Sequence, residues 1–335
     1  MTRPRASRKA VAQSDLSHLR IGTRASTLAL KQARMVQTAL AERGIPSELV
    51  TFVTTGDKRL DEPLSAIGGK GLFTTEIETA LRRGKIDCAV HSLKDLSTDA
   101  VPGLDLAAVL PREDPRDVLV LSSTARAVGL ADLPRGSRVG TSSLRRRAQL
   151  LAVYPDLEVV ELRGNVPTRL RKVDEGQVHA AILAAAGLHR LEATQHISAY
   201  LDAPDWLPAA GQGAIAVQIR TDDLVAREAL GPIDHEPTMR AVRAERAFLA
   251  GLDGGCQVPI GALVMEEGGP AGIVWTLHGL IADPRGRRVI RGARAVGADP
   301  VAAGRALADD LRSRGAEDIL ATLRGATRVA PPQPE

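Results

Sequence analysis

Residues 137–184 read SRVGTSSLRRRAQLLAVYPDLEVVELRGNVPTRLRKVDEGQVHAAILA, and the hydrophobic pattern changes period along them. "SRVG", "LEVVEL" and "HAAILA" are short apolar runs of strand type. "SSLRRRAQLLAVY" and "VPTRLRKVDEG" space their apolar residues three and four apart, as helices do. Gly, Pro and Asn punctuate the joints. Strands that alternate with helices build a sheet whose faces the helices cover.

The pattern holds upstream. "LRIGTR" (19–24) is a strand, a helix runs from Ser26 to around Arg43, and "SELVTFV" (47–53) is the next strand. The helix "GLFTTEIETALRRG" then leads into the strand "KIDCAV" (85–90). "PREDPRD" (111–117), rich in Pro and charge, makes a crossover between the two units. "GAIAVQIR" (213–220) is a strand with no new unit to join, so it is expected to return to the first sheet. From around Pro237 the character changes to a long helix, "TMRAVRAERAFLAG", followed by the strands "GALVMEE", "GIVWTLHGLIAD" and "RRVIRGARAV" and two helices. The expected fold is α/β: two similar doubly wound lobes flanking a cleft, of periplasmic-binding-protein type, plus a small C-terminal α+β domain. The boundaries expected are 19–112 with 213–232 for domain 1, 117–209 for domain 2 and 236–325 for domain 3. Residues 1–18 read as a disordered basic tail and 326–335 as a second tail.

At 335 residues, two or three domains are the prior, and 44% hydrophobic with 25% charged residues is the composition of a water-soluble globular protein. Aromatics make up only 2%, so the cores must be aliphatic. Two cysteines, Cys88 in an apolar run and Cys256 in a loop, suit a reducing compartment rather than a disulfide framework. The first residues carry no apolar segment of the secretory type, no run is long enough to span a membrane, and a cytoplasmic location is expected.

Net charge is only +4, but arginines crowd "SSLRRRAQ", "LRGNVPTRLRK" and "GLHRL". Such a cluster binds anions. Single-stranded nucleic acid asks for aromatics to stack its bases, and this stretch offers only Tyr154, so a small polyanion is favoured. In "GTSSLRRR" a hydroxyl from Thr141, Ser142 or Ser143 can cap a helix whose free N–H groups attract negative charge. Arg145 and Arg146 add planar forks for carboxylates, and Arg147 is expected to face solvent. "VHSLKDL" ends a buried-looking strand with His91, Ser92, Lys94 and Asp95. Asp95 there reads either as half of a Lys–Asp surface pair or, more sharply, as a carboxylate at the cleft wall able to move protons and steady a cation, whereas His91 reads as structural. No P-loop and no clustered Cys/His metal set is present. Cys88 reads as a small buried hydrophobe.

The ordered set "IGTRASTLAL", "TTGD", "GGKGLFTTEIE", "AVHSLKD", "REDPRD", "GTSSLRRR", "LRGNVPTRL", "ILAAAGLHRL", "PAAGQGA" and "AERAFLAGLDGGCQVPIG" closely resembles the porphobilinogen deaminase (hydroxymethylbilane synthase) family, from about residue 19 to 325. The resemblance implies a transferase of tetrapyrrole and haem biosynthesis. It would join four porphobilinogen molecules head to tail, with loss of ammonia, and then release the linear tetrapyrrole hydroxymethylbilane by hydrolysis. It implies that Cys256 carries a dipyrromethane cofactor through a thioether, with Gly254 and Gly255 clearing space for it. It assigns Asp95 as the catalytic carboxylate, with Lys94, Ser143, Arg145 and Arg146 holding the cofactor. Arg24, Ser26, Arg163, Arg169 and Arg190 are then expected to pair with the acetates and propionates of the growing chain, and Gln32 and Gln212 to face the same cleft. No metal, nucleic acid or membrane partner is implied, and a monomer is expected. One departure stands out: where some members carry a second lysine four residues before Lys70, this chain has Ala66.

Two other readings compete on the residues alone. A solute-binding module would share the paired lobes but needs neither Asp95 at the anion site nor a thiol in a third domain. A nucleic-acid binder would use the basic cluster and show steep salt dependence.

Overall fold

The computed structural model describes residues 18–58, 71–125, 127–254, 258–269 and 272–328. Three sheets organise them. The first has the order β2-β1-β3-β10-β4, from β1 (Leu19–Arg24), β2 (Ser47–Phe52), β3 (Cys88–Ser92), β4 (Leu104–Val109) and β10 (Ile215–Arg220). The second, β7-β6-β8-β5-β9, is built from β5 (Asp117–Leu121), β6 (Arg138–Gly140), β7 (Glu158–Val160), β8 (Ala180–Ala184) and β9 (Ala199–Leu201). In both, three parallel strands are followed by an antiparallel fourth, β10 against β3 and β5 against β8. The strand at 213–220 does return to the first sheet, as its isolation in the sequence predicts. The third sheet is an antiparallel meander of β11 (Ile260–Gly269), β12 (Gly272–Ala282) and β13 (Val289–Ala295).

The first two sheets are covered on both faces. Ile21, Val36, Leu40, Cys88 and Val217 pack on one side of the first, and Ile77, Leu81 and Ile86 on the other. Separate clusters around Val173 and around Leu150 do the same for the second. The cores are aliphatic, as the scarcity of aromatics requires, and Phe248 is the largest fully buried side chain. Cys88 is fully buried, and burial pushes its thiol up to about 12, so it packs as a small hydrophobe. No described helix is long and apolar enough to cross a membrane.

The sequence pattern passes over three strands, β4, β5 and the three-residue β9. β4 and β5 flank the Pro-rich crossover, and their short apolar runs border so much charge that the segment reads as a linker. Their pairing to β10 and β8, more than sixty residues away in sequence, is what makes them strands.

Candidate active site

The polar motifs sit where strands end. "LKD" follows β3 as a single turn, Leu93–Asp95, and "TSSLRRR" follows β6 into the helix Leu144–Val153. "RGN" leads from β7 into the helix Val166–Asp174. Ser143 is the cap that starts the first of these helices, its Oγ accepting from Arg146 N at 3.4 Å; Asn165 starts the second, accepting from Thr168 N at 2.9 Å. Ser26 caps the helix Thr27–Ala41 in the same way, so its hydroxyl has a structural task.

On the helix Leu144–Val153, Arg147 is exposed while Arg145 and Arg146 turn inward and are each 5% exposed. Between them lies Asp117, at the start of β5 and fully buried. Its carboxylate accepts from Arg145 Nη1 and Arg146 Nη2, both at 2.7 Å, and from Trp206 Nε1 and Gln212 Nε2, both at 2.8 Å. Burial by itself would raise the Asp117 pKa, but the two guanidiniums hold it well below the usual carboxylate range. Arg145 also donates to Leu207 O at 2.7 Å.

Gln32, Lys94, Arg146, Arg169, Arg190 and Gln212 line one pocket, between elements of the first two sheets. Arg190 donates to Gly213 O at 2.6 Å and Arg169 to Gly164 O at 2.8 Å, so backbone carbonyls hold both without cancelling their charge. Lys94 reaches Gln212 Oε1 at 3.3 Å, and Gln32 bonds Ser92. Burial pushes Lys94 down to about 8, with the Arg146 cation adding to the effect and Asp95 opposing it. Burial likewise lowers Arg169 to about 10, with Arg146 adding and Asp95 again opposing. Half-buried Asp95 is therefore a carboxylate whose charge is felt by two cations of this pocket. The buried Nε atoms of Arg146 and Arg190 have no hydrogen-bond partner.

Residues 19–228 match the family model "Porphobilinogen deaminase, dipyromethane cofactor binding domain", and residues 239–313 match "Porphobilinogen deaminase, C-terminal domain". The chain belongs to the porphobilinogen deaminase family. It is 48% identical over 310 residues to the porphobilinogen deaminase of Acidithiobacillus ferrooxidans, covering 92% of this chain and 99% of that one. To the porphobilinogen deaminase of Geobacter sulfurreducens it is 49% identical over 311 residues, covering 92% and 95% of the two chains. Among solved structures, the Bordetella pertussis BvgS periplasmic VFT2 domain is similar with a TM-score of 0.41 and 17% identity, over 66% of this chain and 88% of that one.

A porphobilinogen deaminase must hold acidic pyrroles, and the pocket suits them. It offers four cations, two of them with unpartnered buried N–H groups, beside a single catalytic carboxylate candidate. Cys256, the expected covalent anchor, lies outside the described residues, as do Gly255, Lys70 and Ala66. Gly254, two residues before the cysteine, sits beside the "LKD" turn: Thr98 Oγ1 donates to its carbonyl at 3.5 Å. Arg246 clamps the same stretch by donating to Leu96 O and Ser97 O at 3.2 and 2.7 Å.

One reading needs correction. A side chain at Gly254 would meet Leu249 and Ile260 at 2.4 and 2.6 Å, so this glycine makes room for the chain's own core. Arg145 donates to Asp117 and Leu207 O and is not among the residues lining the pocket. Arg24 lies over the Phe73 ring at 4.3 Å, and Arg163 Nε stands 3.9 Å from Glu161; neither is among the pocket's lining residues.

Sequence reasoning missed the ionic framework behind the pocket. Arg112 pairs with fully buried Glu245 at 2.6 Å and donates to Gln212 O at 2.9 Å, while Glu245 also accepts from Gly211 N and Val264 N. One carboxylate thus ties the crossover, the 211–212 segment and β11 together. A signal for Asp117 was available: an acid directly before the apolar run "VLVL", opposite a helix with two inward arginines, needs a buried counter-charge. Gly213 is required too, since its φ is +88° and a Cβ would stand 2.3 Å from Glu113 O.

Proposed function

We propose that this chain joins four porphobilinogen molecules head to tail and releases hydroxymethylbilane, working as a cytoplasmic monomer without nucleic acid or membrane partners. The three sheets correspond to the domains 19–112 with 213–232, 117–209 and 236–325. The observation that carries the reading is the pocket lined by Lys94, Arg146, Arg169 and Arg190, four cations next in the fold to the turn that bears Asp95.

Lys94, Arg146, Arg169 and Arg190 take the acetates and propionates, with Arg24, Ser26, Ser143 and Arg163 extending the track and Gln32 and Gln212 bordering it. Each charge-assisted bond contributes roughly 1.5–3 kcal/mol. Arg145 acts through Asp117, setting the orientation of Arg146. Cys256 anchors the dipyrromethane, which when bound supplies the free pyrrole α-carbon for carbon–carbon bond formation. As the substrate's aminomethyl C–N bond breaks and ammonia leaves, the Asp95 carboxylate stabilises the positive charge left on the substrate. It also accepts a hydrogen bond from the pyrrole N–H and relays the proton lost on coupling.

The test is the intact mass of the purified protein beside Cys256→Ala, before and after addition of porphobilinogen. A mass excess of two linked pyrroles that grows with substrate, absent from the variant, is expected. A protein whose mass never grows would overturn the reading.

A further inference from the structure

A second cationic site lies outside the cleft, in a groove between the first sheet's unit and two helices that flank the third sheet. Arg243 and Arg246 project from the helix Glu236–Gly251 and Arg305 from the helix Pro300–Leu311, and the groove holds about 620 Å³. Its opposite wall includes Thr98 and Leu106, and Leu106, Ala247, Ala250 and Val301 give it accessible apolar surface above the buried Met239 and Val242. Arg243 and Arg305 are exposed and make no ion pair or hydrogen bond among the described residues. Among the described residues Arg246 bonds only to the carbonyls of Leu96 and Ser97. Against these three cations the groove's lining contains one acid, Asp309.

We infer that this groove is a binding site for a small amphipathic polycarboxylate, with an apolar body against Leu106, Ala247, Ala250 and Val301 and carboxylates on Arg243, Arg246 and Arg305. The volume falls within the range of small-molecule sites, and planar guanidiniums converging from two helices suit carboxylates bound in pairs. The site is separate from the cleft and does not depend on the assigned reaction. Its wall is shared, however, with the stretch that follows Asp95, because Thr98 and the acceptors of Arg246 belong to both.

The probe is benzene-1,3,5-tricarboxylate, titrated calorimetrically into the holoenzyme, into Arg243→Gln/Arg305→Gln and into Arg169→Gln. Both groove arginines are exposed and unpaired, so the double variant should keep the parent's melting temperature and turnover. The parent and Arg169→Gln should bind the probe in the groove, and the double variant should bind at that site roughly tenfold or more weakly. Inorganic phosphate, which cannot use the apolar surface, should bind there more weakly than the tricarboxylate. Identical isotherms for parent and double variant would overturn the inference. So would phosphate binding as tightly as the tricarboxylate.

Discussion

Asp117→Asn removes one charge and leaves two guanidiniums, each 5% exposed, without a counter-ion. The new amide also turns a donor toward an N–H of Arg145, Arg146, Trp206 or Gln212, all of which donate to this carboxylate. Removing one partner of a buried pair costs about 3–5 kcal/mol, and here two cations lose the same partner, so the upper half of that range is expected. For a unit of the size of the second sheet and its helices, about 4–8 °C per kcal/mol translates this into a fall in melting temperature of roughly 16–40 °C. Scanning calorimetry reads that fall, and intact mass reads whether the cofactor is still acquired. Asp117→Leu/Arg145→Met/Arg146→Met, which removes all three charges together, should recover most of the stability and none of the turnover. A Asp117→Asn protein that melts within about 2 °C of the parent would refute the view of Asp117 as the counter-ion that holds the pocket's wall.

Asp95→Asn should retain the fold and the porphobilinogen-derived mass increment while turnover falls about 10²–10⁴-fold, read in a stopped assay for the tetrapyrrole product; near-normal turnover would remove Asp95 from the chemistry. Lys94 is a cation below about 8 and neutral above it, so KM for the acidic substrate should rise as pH climbs through that value, and Lys94→Met should flatten the profile. On stability the same group acts in the opposite sense. Its folded pKa lies below the unfolded one, the unfolded chain holds the proton more tightly, and stability from Lys94 increases as pH rises from about 8 toward the ordinary lysine value. His91, buried in β3 and pushed down to about 4 mainly by burial, should cost stability as pH falls from its ordinary value toward 4, and His91→Gln should blunt that acid sensitivity in a urea-midpoint series.

Much of this architecture follows from local pattern. Apolar spacing placed the helices Thr27–Ala41, Leu144–Val153 and Glu236–Gly251, and capping chemistry narrowed the start of the second to Thr141, Ser142 or Ser143, because period and caps act over a few residues and are written in the chain order. The cluster of Lys94, Arg146, Arg169 and Arg190 was legible as an anion site for the same reason: each follows a strand, and strand ends gather on one side of a sheet. The isolated strand 213–220 could be returned to the first sheet because no partner stood next to it in sequence. By itself, then, the sequence determined most of the elements, the family and the charge of the pocket. Tertiary structure decided which arginines line the pocket and which acid holds them. Arg145 and Arg146 are adjacent and alike, yet only Arg146 reaches the pocket, because Asp117 arrives from 28 residues away and Leu207 O from 62. Glu245 meets Arg112 across 133 residues. Such pairings depend on how the sheets and helices pack in three dimensions, and no periodicity along the chain encodes them.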